Sequence, residues 1–354
     1  MNSNNLDNLL EDKTILITGG TGSFGKACTK ELLTQYKPEA IRIYSRDELK
    51  QWEMKNEFSQ FPNSDILRFF IGDVRDANRL ERAMKGADFV IHAAALKQVP
   101  ACEYNPTEAI KTNILGGMNV IDAALNCSVE KVVALSTDKA SCPINLYGAT
   151  KLCSDKLFMQ ANNYRGSKNT AFSVVRYGNV MASRGSVIPL FKEQAKTGTL
   201  TMTDEKMTRF WITLEQAVNF VLTSFPIMQG GELFVPKIPS MKITDLAKCI
   251  APDAKFIVTG LRPGEKLHES LISPDEAVNT FDIGDRYFIQ PMMMERWVSD
   301  WDKYPQVIKV PDDFEYNSED NPDYLTSEQM QELLHRFTHE DKSSKIPEVA
   351  QIKS

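Results

Sequence analysis

Six short apolar runs alternating with helix-length segments constrain this chain more than any other feature. The runs are Thr14–Thr18, Ile41–Ser45, Leu67–Ile71, Phe89–Ala93, Lys131–Ser136 and Phe172–Arg176. Helical patterns lie near 24–36, 47–59, 76–85, 107–125 and 147–164. The runs are almost continuously apolar rather than alternating, as strands covered on both faces are. Repeated β–α units of this kind predict an α/β, Rossmann-type doubly wound parallel sheet with right-handed crossovers. In such a sheet ligands bind at the carboxyl ends of the strands.

The pattern loosens after Val180. Residues 181–207 read as a loop plus a helix, Leu214–Phe225 as a helix returning to the sheet, and Glu232–Val235 as a late strand. The expected organisation is a sheet domain over 12–180, completed by about 208–236. A smaller C-terminal lobe for substrate would use 181–207 and 237–300. An acidic extension, 301–354, would carry one helix and a frayed end. That helix is signalled by the capping box Thr326-x-x-Gln329, followed by Met330, Leu333, Leu334 and Phe337 at helical spacing.

A net charge of −6, from 41 basic and 47 acidic residues, argues against a general nucleic-acid binder. No apolar stretch is long enough to span a bilayer, and the first residues show no signal-peptide pattern. Six irregularly spaced cysteines without a C-x-x-C pair suit reduced thiols packed as small hydrophobes. The expected setting is therefore the cytoplasm, with no membrane partner. His335-x-x-x-His339 lacks the Glu of a metal-binding H-E-x-x-H helix, and His92 reads as a packing residue at a strand end. No metal is expected.

Thr18-Gly19-Gly20-Thr21-Gly22-Ser23-Phe24-Gly25 follows the first run and opens a helix. Glycines 19, 22 and 25 permit a tight turn, close approach of backbone to a pyrophosphate, and helix–sheet packing. The helix N-terminus offers free N–H groups to phosphate. The second strand ends in Tyr44-Ser45-Arg46-Asp47. Arg46 suits a ribose 2′-phosphate and so favours NADP. Asp47 keeps NAD open, unless it only caps the next helix. Asp73, after the third strand, is either an adenine neighbour or a turn-forming residue.

Ser136-Thr137-Asp138-Lys139 closes the fifth run, and Tyr147 and Lys151 follow on the next helix. A Tyr and a Lys four residues apart share a helix face, and the ammonium can lower the phenol's pKa for proton abstraction. Tyr164 and Lys168 repeat the spacing, but Gly166 and Asn169 mark that stretch as a helix end. Asp138 and Lys139 add an acid and a base, which suggests elimination joined to hydride transfer. The bland alternative for them is an exposed ion pair.

This arrangement resembles the extended short-chain dehydrogenase/reductase superfamily. Within it, several stretches resemble the inverting UDP-N-acetylglucosamine 4,6-dehydratases of pseudaminic acid synthesis. They are Tyr44-Ser45-Arg46-Asp47-Glu48-Leu49-Lys50, Ala93-Ala94-Ala95-Leu96-Lys97, Ser136-Thr137-Asp138-Lys139-Ala140, Asn145-Leu146-Tyr147-Gly148-Ala149-Thr150-Lys151, Arg176-Tyr177-Gly178-Asn179-Val180 and Arg262-Pro263-Gly264-Glu265-Lys266. The resemblance spans about 12–290. Retaining relatives typically carry Thr-Asp-Glu where this chain has Thr137-Asp138-Lys139.

The resemblance implies a configuration-inverting hydro-lyase acting on a UDP-sugar. Tyr147 and Lys151 would serve the first oxidation, Lys139 would take the carbon-5 hydrogen, Asp138 in its acid form would protonate the leaving hydroxyl, and Thr137 would orient the substrate. Cofactor contacts are implied at Gly19, Thr21, Gly22, Ser23, Phe24, Gly25, Ser45, Arg46, Asp47, Glu48, Leu49, Lys50, Asp73, Val74, Ala93, Lys97, Tyr147, Lys151 and Val180. Substrate contacts are implied at Lys97, Asn179, Arg184, Arg209, Arg262 and Glu265, with the arginines in loops at the sheet's mouth. The family also implies a homo-oligomer, a dimer or a hexamer. Other readings are a retaining dehydratase or an epimerase of a nucleotide-sugar and, from a different class, an NADP-sensing regulator without catalysis.

Overall fold

The computed structural model describes residues 3–181, 186–293, 300–304 and 306–343. Its frame is a ten-stranded sheet. We number these strands β1 (Thr14–Thr18), β2 (Ala40–Ser45), β3 (Leu67–Ile71), β4 (Phe89–His92), β5 (Lys131–Thr137), β6 (Ala171–Tyr177), β7 (Leu233–Pro236), β8 (Thr280–Asp282), β9 (Arg286–Ile289) and β10 (Ile308–Lys309). Their spatial order is β10-β8-β9-β7-β6-β5-β4-β1-β2-β3. Neighbours from β3 through β7 pair in parallel, whereas β9, β8 and β10 add antiparallel to that edge. Chain order reverses between β1 and β4, so a crevice opens at the carboxyl ends of these two strands. Each of the six expected strands is present, because the apolar runs fill a core closed on both faces.

Three differences from the sequence expectation have physical causes. The helix expected over 107–125 is broken into Pro106–Ile110, a π-helical turn Lys111–Leu115 and Gly116–Asn126. The wide turn aims Asn113 inward, where its amide donates to Leu96 O and Thr150 Oγ1, both at 2.9 Å. A short helix, Val99–Tyr104, lies where none was expected, with Pro100 tolerated in its first turn. The expected lobe over 237–300 is divided, since β8 and β9 hydrogen-bond into the large sheet.

The remaining lobe has a second core around Trp211, Phe191, Leu200, Met202 and Leu246. In it Asn179–Val180, Thr208–Ile212 and Ser240–Lys242 form one small sheet, and Thr199–Met202 pairs with Lys255–Val258. The C-terminal extension is shared between the two cores. β10 joins the large sheet, Tyr316–Asn317 pairs with Ser270–Ile272 against the main core, and the helix Ser327–Ser343 buries Met330 and Leu334 in the second core. Its capping box forms in both directions between Thr326 and Gln329. The side chain of Phe337 and residues 344–354 lie outside the described residues.

One close approach joins the layers at the crevice. The helix Leu146–Gln160 starts at Asn145, whose side chain accepts from Gly148 N at 2.8 Å. Its first turn lies against the 3₁₀ turn Asp138–Ala140 that ends β5. A Cβ at Gly148 would overlap the Lys139 carbonyl oxygen. Gly148→Ala is therefore expected to destabilise the protein by about 1–3 kcal/mol through overpacking. A denaturant titration with an unchanged midpoint would contradict this account of the contact.

Candidate active site

The crevice is a cleft of about 660 Å³ that runs from the glycine turn to the ends of β5 and β6. Gly19, Thr21, Gly22, Ser23, Phe24 and Gly25 line one end. Gly19 has φ +67°, and a Cβ there would meet the Ala94 backbone at 2.9 Å. A Cβ at Gly25 would overlap the Gly20 carbonyl. Only glycine keeps the turn this close to the sheet. The N-cap of the following helix, Gly22, has no side-chain hydrogen bond, so the first amides of Ser23–Gln35 stay available. These features fit a dinucleotide diphosphate.

Ser45, Arg46, Asp47 and Lys50 line the cleft at the end of β2. Asp47 caps the next helix, accepting from Lys50 N at 3.1 Å, and pairs with Lys50 Nζ at 2.9 Å. The capping role of Asp47 is thus the one the structure displays. Arg46 is exposed, with Nη1 3.7 Å from Asp73 Oδ2. Asp73 also accepts from Arg75, and Tyr44 donates to the Asp73 carbonyl at 2.8 Å. Val74, Ala93, Lys97, Asn179 and Val180 line the cleft as well. Glu48 and Leu49 do not: they are exposed on the first turn of their helix.

Thr137, Asp138, Lys139, Tyr147 and Lys151 meet in the same cleft. Asp138 is 1% exposed, and its Oδ1 lies 3.1 Å from Lys139 Nζ. Thr137 Oγ1 donates to that oxygen at 2.8 Å, and Lys139 N donates to it at 2.9 Å. Burial pushes the Asp138 carboxyl up. The Lys139 ammonium, Thr137 hydroxyl and Arg209 outweigh that and hold it below its ordinary value. Burial pulls Lys139 down, but Asp138 and Glu269 outweigh burial and Arg209 and hold it up. The expectation that Asp138 rests in its acid form is corrected accordingly: the pair rests as carboxylate and ammonium.

Tyr147 is pushed up to about 12 by burial, against the lowering effect of Lys139 and the Thr137 hydroxyl. Lys139 is thus a cation that acts on the phenol, in the same cleft as Lys151. Burial lowers Lys151, opposed by Asp155. Lys97 is lowered by burial and by Lys139.

The expected substrate residues are placed differently from one another. Arg209 lies on a buried strand rather than in a mouth loop. Its guanidinium donates to the carbonyls of Thr208, Leu267 and Lys266 at 2.6, 3.0 and 2.9 Å. It braces the 266–269 segment with three of its five N–H donors. Arg262 is exposed, with Glu265 Oε1 4.0 Å from Nη1. Their turn is tied to the site by Asn145 Nδ2, which donates to Gly264 O at 2.8 Å. Arg184 lies outside the described residues.

Sequence reasoning missed a buried charge cluster behind the site. Ser136 Oγ donates to Asp155 Oδ2 at 2.7 Å, Arg176 Nη2 lies 3.4 Å from that oxygen, and Arg176 Nη1 donates to Glu276 at 2.9 Å. Asp155 had a local signal, as the third member of the row Tyr147, Lys151, Asp155. Glu269 had none. It is 3% exposed, with Oε1 3.6 Å from Lys139 Nζ, and it comes from 130 residues away in the chain. Among the described residues no three His, Cys, Asp or Glu side chains converge as metal ligands, and no helix is long and apolar enough to cross a membrane.

Comparison with known proteins meets this geometry. A family model described as polysaccharide biosynthesis protein matches residues 15–291. A UDP-N-acetylglucosamine 4,6-dehydratase (inverting) of Campylobacter jejuni is 54% identical over 332 residues, 92% of this chain and 98% of that protein. A UDP-glucose 4-epimerase of Rickettsia canadensis is 47% identical over 286 residues, 78% of this chain and 83% of that protein. The structure of Pen from Bacillus thuringiensis superposes with TM-score 0.84 at 38% identity, covering 93% of this chain and 99% of that one. DesIV, a dTDP-glucose 4,6-dehydratase of Streptomyces venezuelae with NAD bound, shares the fold with TM-score 0.63 at 22% identity, covering 72% of this chain and 86% of that one. The family match over most of the length and the identity to whole-chain relatives agree: the chain belongs to the polysaccharide biosynthesis protein family, is related along nearly its entire length to the inverting UDP-N-acetylglucosamine 4,6-dehydratases, and is built on the Rossmann-type fold of the extended short-chain dehydrogenases/reductases.

Proposed function

We propose that the protein dehydrates UDP-N-acetylglucosamine to a 4-keto-6-deoxy UDP-sugar with inversion at carbon 5, as the first step of pseudaminic acid synthesis, using NADP. The observation that carries this reading is the Asp138–Lys139 pair, 3.1 Å apart and in one cleft with Thr137 and Tyr147. Oxidation or epimerisation at carbon 4 needs only Tyr147 and an orienting hydroxyl. A buried acid and a part-buried base beside them suit the loss of water.

A bound nicotinamide supplies the hydride acceptor for carbon 4 and the donor for carbon 6. Tyr147 takes the 4-hydroxyl proton as the phenolate, the form that Lys139 and the Thr137 hydroxyl favour against burial, and Thr137 orients that oxygen. The 4-ketone acidifies the carbon-5 hydrogen. The Asp138–Lys139 pair holds one proton in its resting state, on Nζ. Transfer across the 3.1 Å contact gives a neutral amine and a neutral acid. Lys139 then takes the carbon-5 proton while Asp138 protonates the departing 6-hydroxyl, and water leaves. The pair returns to ammonium and carboxylate, so its protons balance. After hydride return to carbon 6, carbon 5 takes a proton from solvent on the opposite face, and Tyr147 gives up to solvent the proton it took from the 4-hydroxyl, so the overall reaction is loss of one water.

Arg46 and Lys50 supply two cations where a ribose 2′-phosphate would lie, and Asp47 is engaged by Lys50. Arg46→Ala is expected to weaken NADP binding about tenfold, the worth of one charge-assisted contact, and to leave NAD binding nearly unchanged. Equal losses for both cofactors, measured by calorimetry, would contradict the NADP reading. Arg262 is an exposed guanidinium suited to the substrate diphosphate, and Arg184 and Arg209 keep the same expected role. As in the family, we expect a homo-oligomer.

The Rickettsia relatives favour a second reading, a nucleotide-sugar epimerase. Proton NMR of the product formed in heavy water separates the two. We expect a 6-deoxy methyl group, deuterium at carbon 5 and inverted configuration there. An intact 6-hydroxyl, or retained configuration, would overturn the proposal.

A further inference from the structure

The carboxylate that sequence reasoning missed faces the proposed base. Lys139 Nζ is met by Asp138 from its own turn and by Glu269 from the loop before Ser270–Ile272. Arg209 approaches from the strand Thr208–Ile212, with Nε 3.7 Å from Glu269 Oε1. Lys97, from the loop after β4, and Tyr147, from the Leu146–Gln160 helix, complete the charged and titratable groups that act on the lysine. Two of these groups, Arg209 and Lys97, are cations that drive a proton off Lys139. Glu269 is buried, and its Oε2 accepts no hydrogen bond among the described residues. Its charge is therefore spent on Lys139 and Arg209.

Glu269 is also held in place from the C-terminal extension. Ser318 N donates to Glu269 O at 2.8 Å, and Glu269 N donates to Ser318 Oγ at 2.9 Å. The Ser318 hydroxyl shares a 2.7 Å hydrogen bond with Thr208 Oγ1, on the strand that carries Arg209. The extension thus fixes both the carboxylate and the guanidinium relative to Lys139.

We infer that Glu269 is a positioning residue that keeps the working proton on Lys139, held for that task by Ser318 of the C-terminal extension. The inference rests on the reading of Lys139 as the elimination base. Without Glu269, Asp138 alone holds that proton against burial and Arg209, and Lys139 releases it at a lower pH. Above that pH turnover would begin with a neutral amine and an ionised Asp138, a base without its acid. With Glu269, the Nζ–H bond breaks only as the Asp138 O–H bond forms. No other donor or acceptor is needed.

The test reads Lys139 directly and needs no turnover. Trace labelling of the purified protein with acetic anhydride, quantified by mass spectrometry on the peptide containing Lys139, gives its protonation curve from pH 6 to pH 12. The side chain is 27% exposed, which admits a small reagent. Removal of a charge 3.6 Å away in Glu269→Gln should move the curve to lower pH by about one to two units. Glu269→Asp, which withdraws the carboxylate by one methylene, should move it by less in the same direction, and it serves if Glu269→Gln does not fold. The alkaline limb of kcat should fall in parallel. An unmoved labelling curve would overturn the role of Glu269. A wild-type protein that releases no water from UDP-N-acetylglucosamine would instead overturn the proposed function, whatever the labelling shows.

Discussion

The contact between Lys139 and Asp138 dictates much of what surrounds it. A carboxylate that is 1% exposed is costly unless charges and donors answer it. Here the answer comes from four places. Lys139 and Thr137 supply it locally, Arg209 adds to it while Glu269 steadies Lys139, the Gly148 contact fixes the backbone of Lys139, and the C-terminal extension holds Glu269. These segments are far apart in sequence, so the site exists only when both the sheet and the smaller lobe are folded.

Behind this pair, Ser136, Asp155, Arg176 and Glu276 form a second buried ionic cluster. It links β5, the Leu146–Gln160 helix, β6 and the short helix Pro274–Ala277. Removing Arg176 would leave Asp155 and Glu276 without their shared cation, which is more damaging than replacing the cluster by apolar side chains. The cluster lies directly beneath Tyr147 and Lys151 on the same helix, so a rigid base sits under the mobile protons. His92 belongs to the same layer. Its Nδ1 shares a 2.8 Å hydrogen bond with Thr18, and burial with help from Lys151 drives its pKa down to about 3, so it stays neutral as a packing residue.

What was legible in the sequence follows from how local each signal is. The strands of the parallel sheet, the glycine turn and the Tyr147-x-x-x-Lys151 spacing are each set within a few residues, and they lie where the sequence placed them. Asp47 as a cap was legible for the same reason, since an N-cap acts within one turn. The π-helical turn at Lys111–Leu115 was not, because Asn113 is drawn inward by Leu96 and Thr150 in other segments. Arg209 was read as a loop cation but is a strand residue that donates to three carbonyls, a state that only tertiary packing decides. Glu269 and Ser318 carry no motif, and the long-range pairing of Ser270–Ile272 with Tyr316–Asn317 is what gives them meaning.

The central claim is that Lys139 and Asp138 act together after oxidation, at the elimination step. A single-turnover experiment with Lys139→Ala tests this most directly, following reduced nicotinamide by absorbance and the sugar by NMR. The account predicts that substrate still reduces part of the bound cofactor while water loss slows by about a hundredfold to ten-thousandfold, the usual worth of a general base. Water loss at the wild-type rate would contradict it.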